Sequence, residues 1–422
     1  MRRPLVILAQ ALLLPLFGAC RDDGATTLVA PSIADVSVEA LALDPSAALG
    51  QLLFDDINLS VNRNQSCRTC HEPSQGFAAP LKGVTARGSV VQGSVPGRFG
   101  DRKPPTSAYA TLTPNFSGGN NPTGGIFWDG RATGAVLGNP AGDQAMGPFV
   151  NPAEQALPDI ACAVYRVRTG IYLGSYTAVW GTGINTIVFP ANTETVCSTP
   201  VLSAGNVVAL SASDRTKAQA EYYNIARSIQ AFEASLNRFS AKIDVGGLTA
   251  EELEGRKLFS GKGKCQQCHL DKGVRPIFTD FAFHNLGVPR NPANPVYNYQ
   301  SMAYDKGLGG FTGRSAHIGK FRTPTARNVG LGDNRTYMHN GVLTSLAQVV
   351  DFYNTRDAVR TCTAAEIAAL TPAQYGTLPG AAGCWPPPEY PFGMDTRQMG
   401  KLGLTLREVN AIAAYLQAMT DR

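Results

Sequence analysis

The pattern that most constrains this chain is a pair of cysteines separated by two residues and followed directly by a histidine. It occurs twice, at residues 67–71 and 265–269. This is the attachment motif of a c-type haem, in which each thiol adds to one vinyl group of the porphyrin and the histidine binds the iron. A single copy would also fit a redox or zinc pair, but zinc needs further Cys or His ligands, and none stands beside either copy. We therefore predict two covalently bound haem c groups, attached through Cys67, Cys70 and His71 and through Cys265, Cys268 and His269.

The N-terminus has the pattern of an export signal. Arg2 and Arg3 precede an apolar stretch over residues 5–17, which is too short to span a bilayer. These features predict a signal peptide over residues 1–19. An exported chain is also the setting in which covalent haem attachment and disulfide formation are expected.

The end of this leader resembles a bacterial lipoprotein signal, with Cys20 as the acylated residue. Ordinary cleavage near Ala19 is the alternative. Residues 20–40 have the composition of a flexible tether, and Arg21 favours the outer membrane. We therefore expect a periplasmic protein that is held to the outer membrane by lipid on Cys20.

The cysteine count supports export. Of nine cysteines, Cys20 would carry lipid and four would hold haem, which leaves four. An even remainder in an oxidising compartment predicts two disulfides. Proximity in the sequence favours the pairs Cys162–Cys197 and Cys362–Cys384.

Composition excludes two classes of protein. The formal net charge is only +5, two of these charges lie in the leader, and no Lys/Arg run exists, so a nucleic-acid partner is not expected. Charged residues make up 16%, while 44 Gly and 28 Pro are present. This composition is typical of a loop-rich globular protein with embedded cofactors and not of a disordered chain.

Sequence patterns typical of helices precede both haem motifs and recur near the end of each half. Apolar periodicity predicts helices over residues 41–54 and 218–239. Thr249 and Glu252 have the spacing of a capping box, which predicts a helix that leads to the second motif. Another helix is expected to open at residues 404–405.

The order of elements is therefore the same in both halves: a helix, a short loop, the haem motif, long loops and a closing helix. We predict a mainly α fold of two cytochrome-c-like haem domains, over residues 41–242 and 243–422. Residues 156–212 are rich in Val, Ile, Thr and Tyr, and we interpret them as an insertion with a little β-structure.

The chain resembles the bacterial di-haem cytochrome c peroxidase/MauG family, over nearly all of its length after the leader except 156–212. The resemblance lies in the two haem motifs and in residues 50–54, 127–132, 278–287, 321–329 and 337–354. It implies a di-haem c-type peroxidase that reduces hydrogen peroxide. It also implies a partner that is either a small electron-donor protein, such as a cytochrome c or a cupredoxin, or an oxidisable protein. A lipid-anchored di-haem electron carrier without peroxidase turnover is the alternative.

The positions of the histidines indicate whether the first haem has a second histidine ligand. The chain has five, and none lies between His71 and His269. Family peroxidases that need reductive activation carry a histidine in that interval, which caps the first haem. The resemblance therefore implies that the first haem has an open face, as in MauG.

For the second haem, the family places an axial ligand fourteen residues after the histidine of its Tyr-x-His-x-Gly stretch, which is Tyr353 when counted from His339. That position holds Tyr in MauG and Met in the Met-ligated peroxidases. A phenolate favours high oxidation states of iron and would let this haem store oxidising equivalents. The alternative is that Tyr353 is a core aromatic and that Met394 binds the iron.

The resemblance also suggests acid–base and electron-transfer residues. Gln144 and Glu154 lie ten residues apart, as the distal pair of the family does. A carboxyl group there could move a proton between the two oxygens of bound peroxide. Trp128 corresponds to a tryptophan that connects the two haems. Each residue also has an alternative interpretation: Glu154 as a solvated loop residue and Trp128 as a core aromatic.

Two further comparisons with the family concern a metal site and a partner protein. Asn334 and Thr336 correspond to a calcium site between the haems, but Lys103 stands where the family has an Asn ligand, and Asp101 would have to substitute. Gly263 replaces a surface tryptophan through which MauG oxidises its partner protein, so the resemblance does not extend to that route.

Overall fold

The computed structural model describes most of the chain after the predicted leader, namely residues 43–80, 89–200, 207–299, 303–332, 336–369 and 383–422. The signal peptide, Cys20 and the tether through residue 40 lie outside the described residues, and so does Asn334. None of the helices within the described ranges combines the length and the apolar character that a bilayer crossing requires.

Seven α-helices lie in the first half of the described chain. They are α1 (Pro45–Asp55), α2 (Cys67–Cys70), α3 (Pro140–Val150), α4 (Ile160–Thr169), α5 (Leu173–Trp180), α6 (Thr193–Cys197) and α7 (Ala212–Ser235). Two of them were predicted, and both begin at a side-chain cap: Asp44 accepts hydrogen bonds from the first turn of α1, and Ser211 caps α7.

The second half adds shorter helices and a minimal sheet. The helices are α8 (Lys242–Val245), α9 (Ala250–Ser260), α10 (Val296–Tyr299), α11 (Leu308–Thr312), α12 (Leu346–Thr355), α13 (Ala364–Ala369) and α14 (Leu406–Gln417). Strands β1 (Phe283–His284) and β2 (Phe321–Arg322) pair antiparallel, with Phe283 opposite Arg322. The predicted mainly α fold class is confirmed.

Capping boxes start α9, which precedes the second haem motif, and α14, which closes this half. The Thr249 hydroxyl accepts from the Glu252 N–H, and the Glu252 carboxylate accepts from the Thr249 N–H. Thr405 and Glu408 repeat this arrangement at the start of α14. The predicted starts of α9 and α14 are thus confirmed, because a box satisfies amide groups that a helix start leaves without partners.

The prediction of β-structure in the 156–212 insertion is wrong for its described residues, 156–200 and 207–212. Residues 160–197 form α4, α5 and α6 instead. The apolar residues of α4 recur at helical spacing, and Ala161, Val164 and Val167 are fully buried. Packing of α4 against α7 overrides the β-propensity of the Val and Ile side chains.

Both predicted cysteine pairs come together. The Sγ atoms of Cys162 and Cys197 lie 2.08 Å apart and join α4 to α6. Those of Cys362 and Cys384 lie 1.97 Å apart. Each pair closes a local loop, as their sequence proximity suggested.

Apolar side chains collect into separate clusters within one compact unit, which spans residues 43–422. The largest cluster lies between Leu49 and Leu236, and a second lies between Phe259 and Met419. The division into two haem domains at residues 242 and 243 stays a prediction.

The helix before each haem motif crosses the closing helix of its half at a glycine. A Cβ added to Gly50 of α1 would overlap the Ser228 carbonyl oxygen of α7. A Cβ added to Gly255 of α9 would overlap the Ala411 carbonyl oxygen of α14. Only glycine allows these backbones to approach so closely.

Replacing Gly255 by alanine should therefore force α9 and α14 apart. Overpacking of this kind costs about 1–3 kcal/mol, and we expect Gly255→Ala to lower the free energy of unfolding of the holoprotein by about 2 kcal/mol in urea titrations. Gly174→Ala is the matched control, because Gly174 is also helical and a Cβ there has no neighbour within 4 Å. Equal stability of the two variants would contradict the close crossing.

Candidate functional site

Two cavities occupy the places where the motifs predicted haem. One is lined by Cys67, Cys70 and His71. The other is lined by Cys265, Cys268 and His269. The first motif forms the short helix α2 and the second a 3-10 turn, so in both cases the chain coils enough to present both thiols to one cavity.

The two motif histidines are oriented in the same way. Nδ1 of His71 lies 3.0 Å from the carbonyl oxygen of Phe77, and Nδ1 of His269 lies 2.9 Å from that of Phe278. This contact leaves Nε2 of each ring as the ligand atom. Burial lowers the pKa of both imidazoles, which favours the neutral, metal-binding form.

Both phenylalanines adopt an unusual backbone conformation. Phe77 has φ 56° and Phe278 has φ 51°, in the left-handed region that bulky residues avoid. Such a residue costs about 1–3 kcal/mol and is found mainly at functional sites. Here it turns the carbonyl group towards the histidine, which is a feature that no sequence pattern marked.

Gln144 and Glu154 both line the first cavity. Gln144 lies on α3, and Glu154 lies in the turn that follows. Hydrogen bonds on both sides fix this turn: the Glu154 N–H donates to the Asn151 carbonyl (3.0 Å), and its own carbonyl accepts from the Ser94 N–H (2.8 Å). Burial raises the pKa of Glu154 to about 7, although the positive charge of Arg131 opposes this shift.

The second cavity is lined by Tyr353, which lies on α12. Burial raises the pKa of its hydroxyl group. Met394 is not among the described residues that line this cavity, and its Sδ occupies the space that a Cβ on Gly287 would need. Met338 and Met399 do line it, and they lie in loops where no periodicity could have identified them.

Trp128 borders both cavities. Its indole N–H donates to the carbonyl of Lys103 at 2.7 Å, which fixes the ring. On one side the ring lies 6.3 Å from the imidazole of His339, measured between centroids. The tryptophan is therefore both a packed aromatic residue and a residue shared by the walls of the two cavities.

A buried ion network lies beside Trp128. Arg102 donates to Asp305 through Nε (2.7 Å) and Nη2 (2.8 Å) and to Asp129 through Nη1 (2.7 Å). Arg102 lines the first cavity and Asp305 the second, so the network ties the two walls together. Arg102 also opposes the desolvation of Asp305 and holds its pKa down to about 2.

Polar atoms without partners show what the cavities can hold. Among the described residues, Nε of Arg322 and Nε2 of His339 have no hydrogen-bond partner at the second cavity. At the first cavity the same holds for Oε1 of Gln65, Oε2 of Glu233 and both amide atoms of Gln155. The buried guanidinium of Arg322 suits a propionate carboxylate of haem at the second cavity, and the Gln155 amide nitrogen is a donor that suits one at the first cavity. The residues present therefore fit a haem in each cavity.

His284 lies in the wall of the second cavity between two carboxylates. Its Nδ1 lies 2.8 Å from Asp395, and its Nε2 lies 3.1 Å from Asp280. Burial disfavours the charged ring, but hydrogen bonds to both carboxylates outweigh burial and raise its pKa to about 12. Cys268 lies close to this pair, but as a haem-bonded thioether it would not be a metal ligand.

The calcium site stays a prediction. Thr336 is buried, whereas Asn334 lies outside the described residues. The Lys103 side chain lines the first cavity, and the Lys103 N–H donates to the His339 carbonyl. The Asp101 carbonyl oxygen accepts from Nδ2 of Asn294 at 2.8 Å.

Comparison with known proteins agrees with this geometry. The sequence model of the family described as di-haem cytochrome c peroxidase matches residues 44–249. The methylamine utilization protein MauG of Paracoccus denitrificans is 31% identical over 394 residues, which cover 90% of this chain and 89% of that protein. The cytochrome-c peroxidase IdrP2 of Denitromonas iodatirespirans is 28% identical over 323 residues, or 72% of each chain. The crystal structure of the diheme peroxidase BthA from Burkholderia thailandensis aligns with a TM-score of 0.63 at 25% identity, over 90% of this chain and 86% of that one.

Removing Arg102 should leave Asp129 and Asp305 buried without their shared cation. Breaking a buried ion pair from one side costs about 3–5 kcal/mol, so we expect Arg102→Met to lower the free energy of unfolding by that amount in urea titrations. Arg407→Met is the control, since Arg407 pairs with Glu254 on the surface and 79% of its side chain is exposed. Such pairs contribute about 0–1 kcal/mol. A small loss for both variants would show that the network carries little stability.

Proposed function

Because the chain belongs to the di-haem cytochrome c peroxidase family, we propose that it is an exported peroxidase of the MauG-like branch. It would reduce hydrogen peroxide to water at a first haem held by residues 67–71. Haem iron, once bound, supplies the electrons that cleave the O–O bond. A second haem held by residues 265–269 would exchange electrons with the first and with a donor.

One observation carries this proposal: the first cavity combines a haem motif with Glu154 and Gln144, and the described residues that line it offer no common axial ligand besides His71. Among the described residues that line it, His71 is the sole imidazole, and neither Met nor Tyr is present. These are the side chains that most often fill a second axial position. Glu154 and Gln144 line this same cavity, so a proton-transfer group faces the space that peroxide would occupy.

Glu154 would move the proton. As a carboxylate it would accept a proton from one oxygen of peroxide and pass it to the other oxygen, which would leave as water. Gln144 would orient peroxide by hydrogen bonding. Full reduction to two water molecules consumes two protons and two electrons, and the electrons come from the donor.

Trp128 and Tyr353 would serve the second haem. The position of Trp128 between the cavities supports a role in electron exchange, and the position of Tyr353 in the cavity wall supports it as axial ligand. The Met-ligated alternative is favoured by a specific observation as well, because Met338 and Met399 line the same cavity.

Export and partner choice belong to the same proposal. The two cysteine pairs at bonding distance support an oxidising compartment, in which lipid on Cys20 would hold the protein to the outer membrane. The donor would be a small cytochrome c or cupredoxin, or the substrate an oxidisable protein. Gly263 lines the second cavity, so no tryptophan at that position serves a partner.

Glu154→Gln should slow the reaction with peroxide by about 10²–10⁴-fold, the usual contribution of acid–base catalysis. Stopped-flow spectroscopy of the ferric protein with hydrogen peroxide measures this rate. In the wild type the rate should rise with pH through the pKa of about 7 and level off above it, because the carboxylate form accepts the proton. The variant should lose this rise.

Glu221→Gln is the control, because Glu221 is buried on α7 outside both cavities, where it accepts from the Tyr176 hydroxyl. A wild-type rate in the Glu154 variant would remove Glu154 from the mechanism. Absence of any spectral response in the wild type would favour the non-catalytic electron carrier.

Tyr353→Phe should change the low-spin electron paramagnetic resonance signal of the second haem and leave the signal of the first haem unchanged. Loss of an anionic ligand should also raise the second reduction potential. Met399→Leu and Met338→Leu test the alternative. If either of them alters the second haem while Tyr353→Phe does not, a thioether is the ligand.

A further inference from the structure

A short series of aromatic rings leads from the second cavity to the protein surface. Under the proposed function, the oxidising equivalents at the second haem need a path to a reductant, and Gly263 has no side chain to provide one. Tyr390 lines the second cavity, and its ring centroid lies 5.0 Å from that of Tyr304 and 5.5 Å from that of Phe392. Both tyrosines are half-buried, and Phe392 is 69% exposed. The three rings therefore extend from the haem cavity to solvent.

The two tyrosine rings are brought together by the residues beside them. The Asp305 N–H donates to the Glu389 carboxylate at 3.0 Å. Each of these two residues is the direct chain neighbour of one tyrosine, so this hydrogen bond joins the two segments at the point where the rings meet. The Glu389 N–H also donates to the Val288 carbonyl at 3.0 Å. The tyrosine pair is thus anchored in the folded chain through its backbone.

The Tyr390 ring is also fixed against the cavity wall. Gly319 lines the same cavity with φ 74°, and a Cβ built on it would lie 2.7 Å from Cδ1 of Tyr390. Only glycine leaves room for the ring at this distance. Nδ2 of Asn285, a residue that is 4% exposed, donates to the carbonyl oxygens of Tyr390 (3.2 Å) and Phe392 (2.9 Å). These contacts hold the segment that carries both rings on the wall of the cavity.

A second aromatic series starts at the same cavity but ends in the protein interior. The ring of Tyr353 lies 6.3 Å from that of Phe352, which lies 5.2 Å from that of Trp385. Trp385 is only 3% exposed, and its indole N–H donates to the Thr355 hydroxyl at 3.0 Å. Of these two series, the one through Tyr390 is therefore the one that a reductant at the surface can reach.

We propose that Tyr390 and Tyr304 form an electron relay between the second haem and a phenol-type reductant at the protein surface. The O–H group of a tyrosine can release its proton when the ring gives up an electron, and a phenylalanine ring has no such group. A relay of tyrosines can therefore oxidise a reductant that loses an electron as readily as a phenol does. The exposed ring of Phe392 offers an aromatic molecule an apolar surface beside the relay. This inference rests on the proposed peroxidase function and adds the route and the chemical class of the reductant.

Each passage along the relay moves one electron. Tyr390 gives an electron to the second haem, and its O–H bond releases a proton to solvent. Tyr304 then gives an electron to Tyr390 and releases its own proton, while Tyr390 regains one from solvent. The phenol restores Tyr304 in the same way and leaves as a phenoxyl radical. Two passages consume two phenol molecules and supply the two electrons and two protons that reduce one peroxide molecule to two water molecules.

Radical trapping in the holoprotein tests the relay. The protein is mixed with hydrogen peroxide and the nitroso spin trap MNP, the Soret band is recorded, and peptide mass spectrometry locates the adducts. In the wild type we expect an adduct on Tyr304. Tyr390→Phe should lose this adduct because the relay is interrupted, and Tyr304→Phe should move the adduct to Tyr390. The Soret response to peroxide should be the same in all three proteins.

Steady-state oxidation of guaiacol, a small phenol, provides a second readout. Both Phe variants should lose most of the kcat for guaiacol, whereas the rate at which peroxide changes the Soret band stays at the wild-type value. Tyr165→Phe is the matched control, because Tyr165 is also half-buried and packs on the ring of Phe189 at 5.3 Å, outside the linings of both cavities. It should leave both readouts unchanged.

Three results would overturn the relay. A Tyr304 adduct that persists in Tyr390→Phe, or guaiacol turnover at the wild-type rate in both Phe variants, would show that electrons bypass the pair. A Soret response without an adduct on either tyrosine would reject the relay and leave the peroxidase function intact. Absence of a Soret response would instead refute the peroxidase function, and the relay would then have no oxidant.

Discussion

Both haem sites depend on a close crossing of two helices in which backbone meets backbone. On one side Gly50 of α1 lies against Ser228 of α7, and on the other Gly255 of α9 lies against Ala411 of α14. The crossing fixes the end of the leading helix, which carries a buried phenylalanine in each half. The haem motif follows after a short connection, so the position of both thiols and of the histidine derives from that contact.

The two similar helix crossings support cavities with different chemical environments. The first cavity holds two buried carboxyl groups, and burial places the pKa of Glu154 at about 7 and that of Glu233 at about 8. Groups of this kind can take up or release a proton near neutral pH. The second cavity instead holds Tyr353, whose pKa is raised by burial, and His284, whose pKa is raised by hydrogen bonds to Asp280 and Asp395. Under the proposed function, proton transfer belongs to the first haem and electron storage to the second.

The sequence predicted the features that depend on local patterns. The haem motifs, the capping boxes of α9 and α14 and the pairing of neighbouring cysteines all involve residues close together in the chain. The prediction of a little β-structure in residues 156–212 was wrong for the described residues, because packing against α7 decided the conformation of Val and Ile residues that fit either structure. Long-range contacts, such as that between Arg102 and Asp305, could not be predicted because they join distant loops.

Glu233 shows where more could have been read from the sequence. It follows Ile229 by four residues and therefore shares its helix face, so its burial among apolar neighbours was predictable from the period of the helix. A carboxyl group on the apolar face of a helix thus indicates that another group must offset the cost of its burial. The helical pattern does not identify that group.

The cavities also carry features that are unfavourable on their own. The left-handed conformations of Phe77 and Phe278 and the unpartnered Nε of Arg322 each cost about 1–3 kcal/mol. A bound haem offers propionates to the guanidinium and an iron to each histidine, so the stabilisation comes with the cofactor. A ligand that binds reversibly would give this stabilisation only at sufficient concentration. Thioether bonds through Cys67, Cys70, Cys265 and Cys268 remove that dependence, because a covalently held haem cannot dissociate from the chain whose strained groups it satisfies.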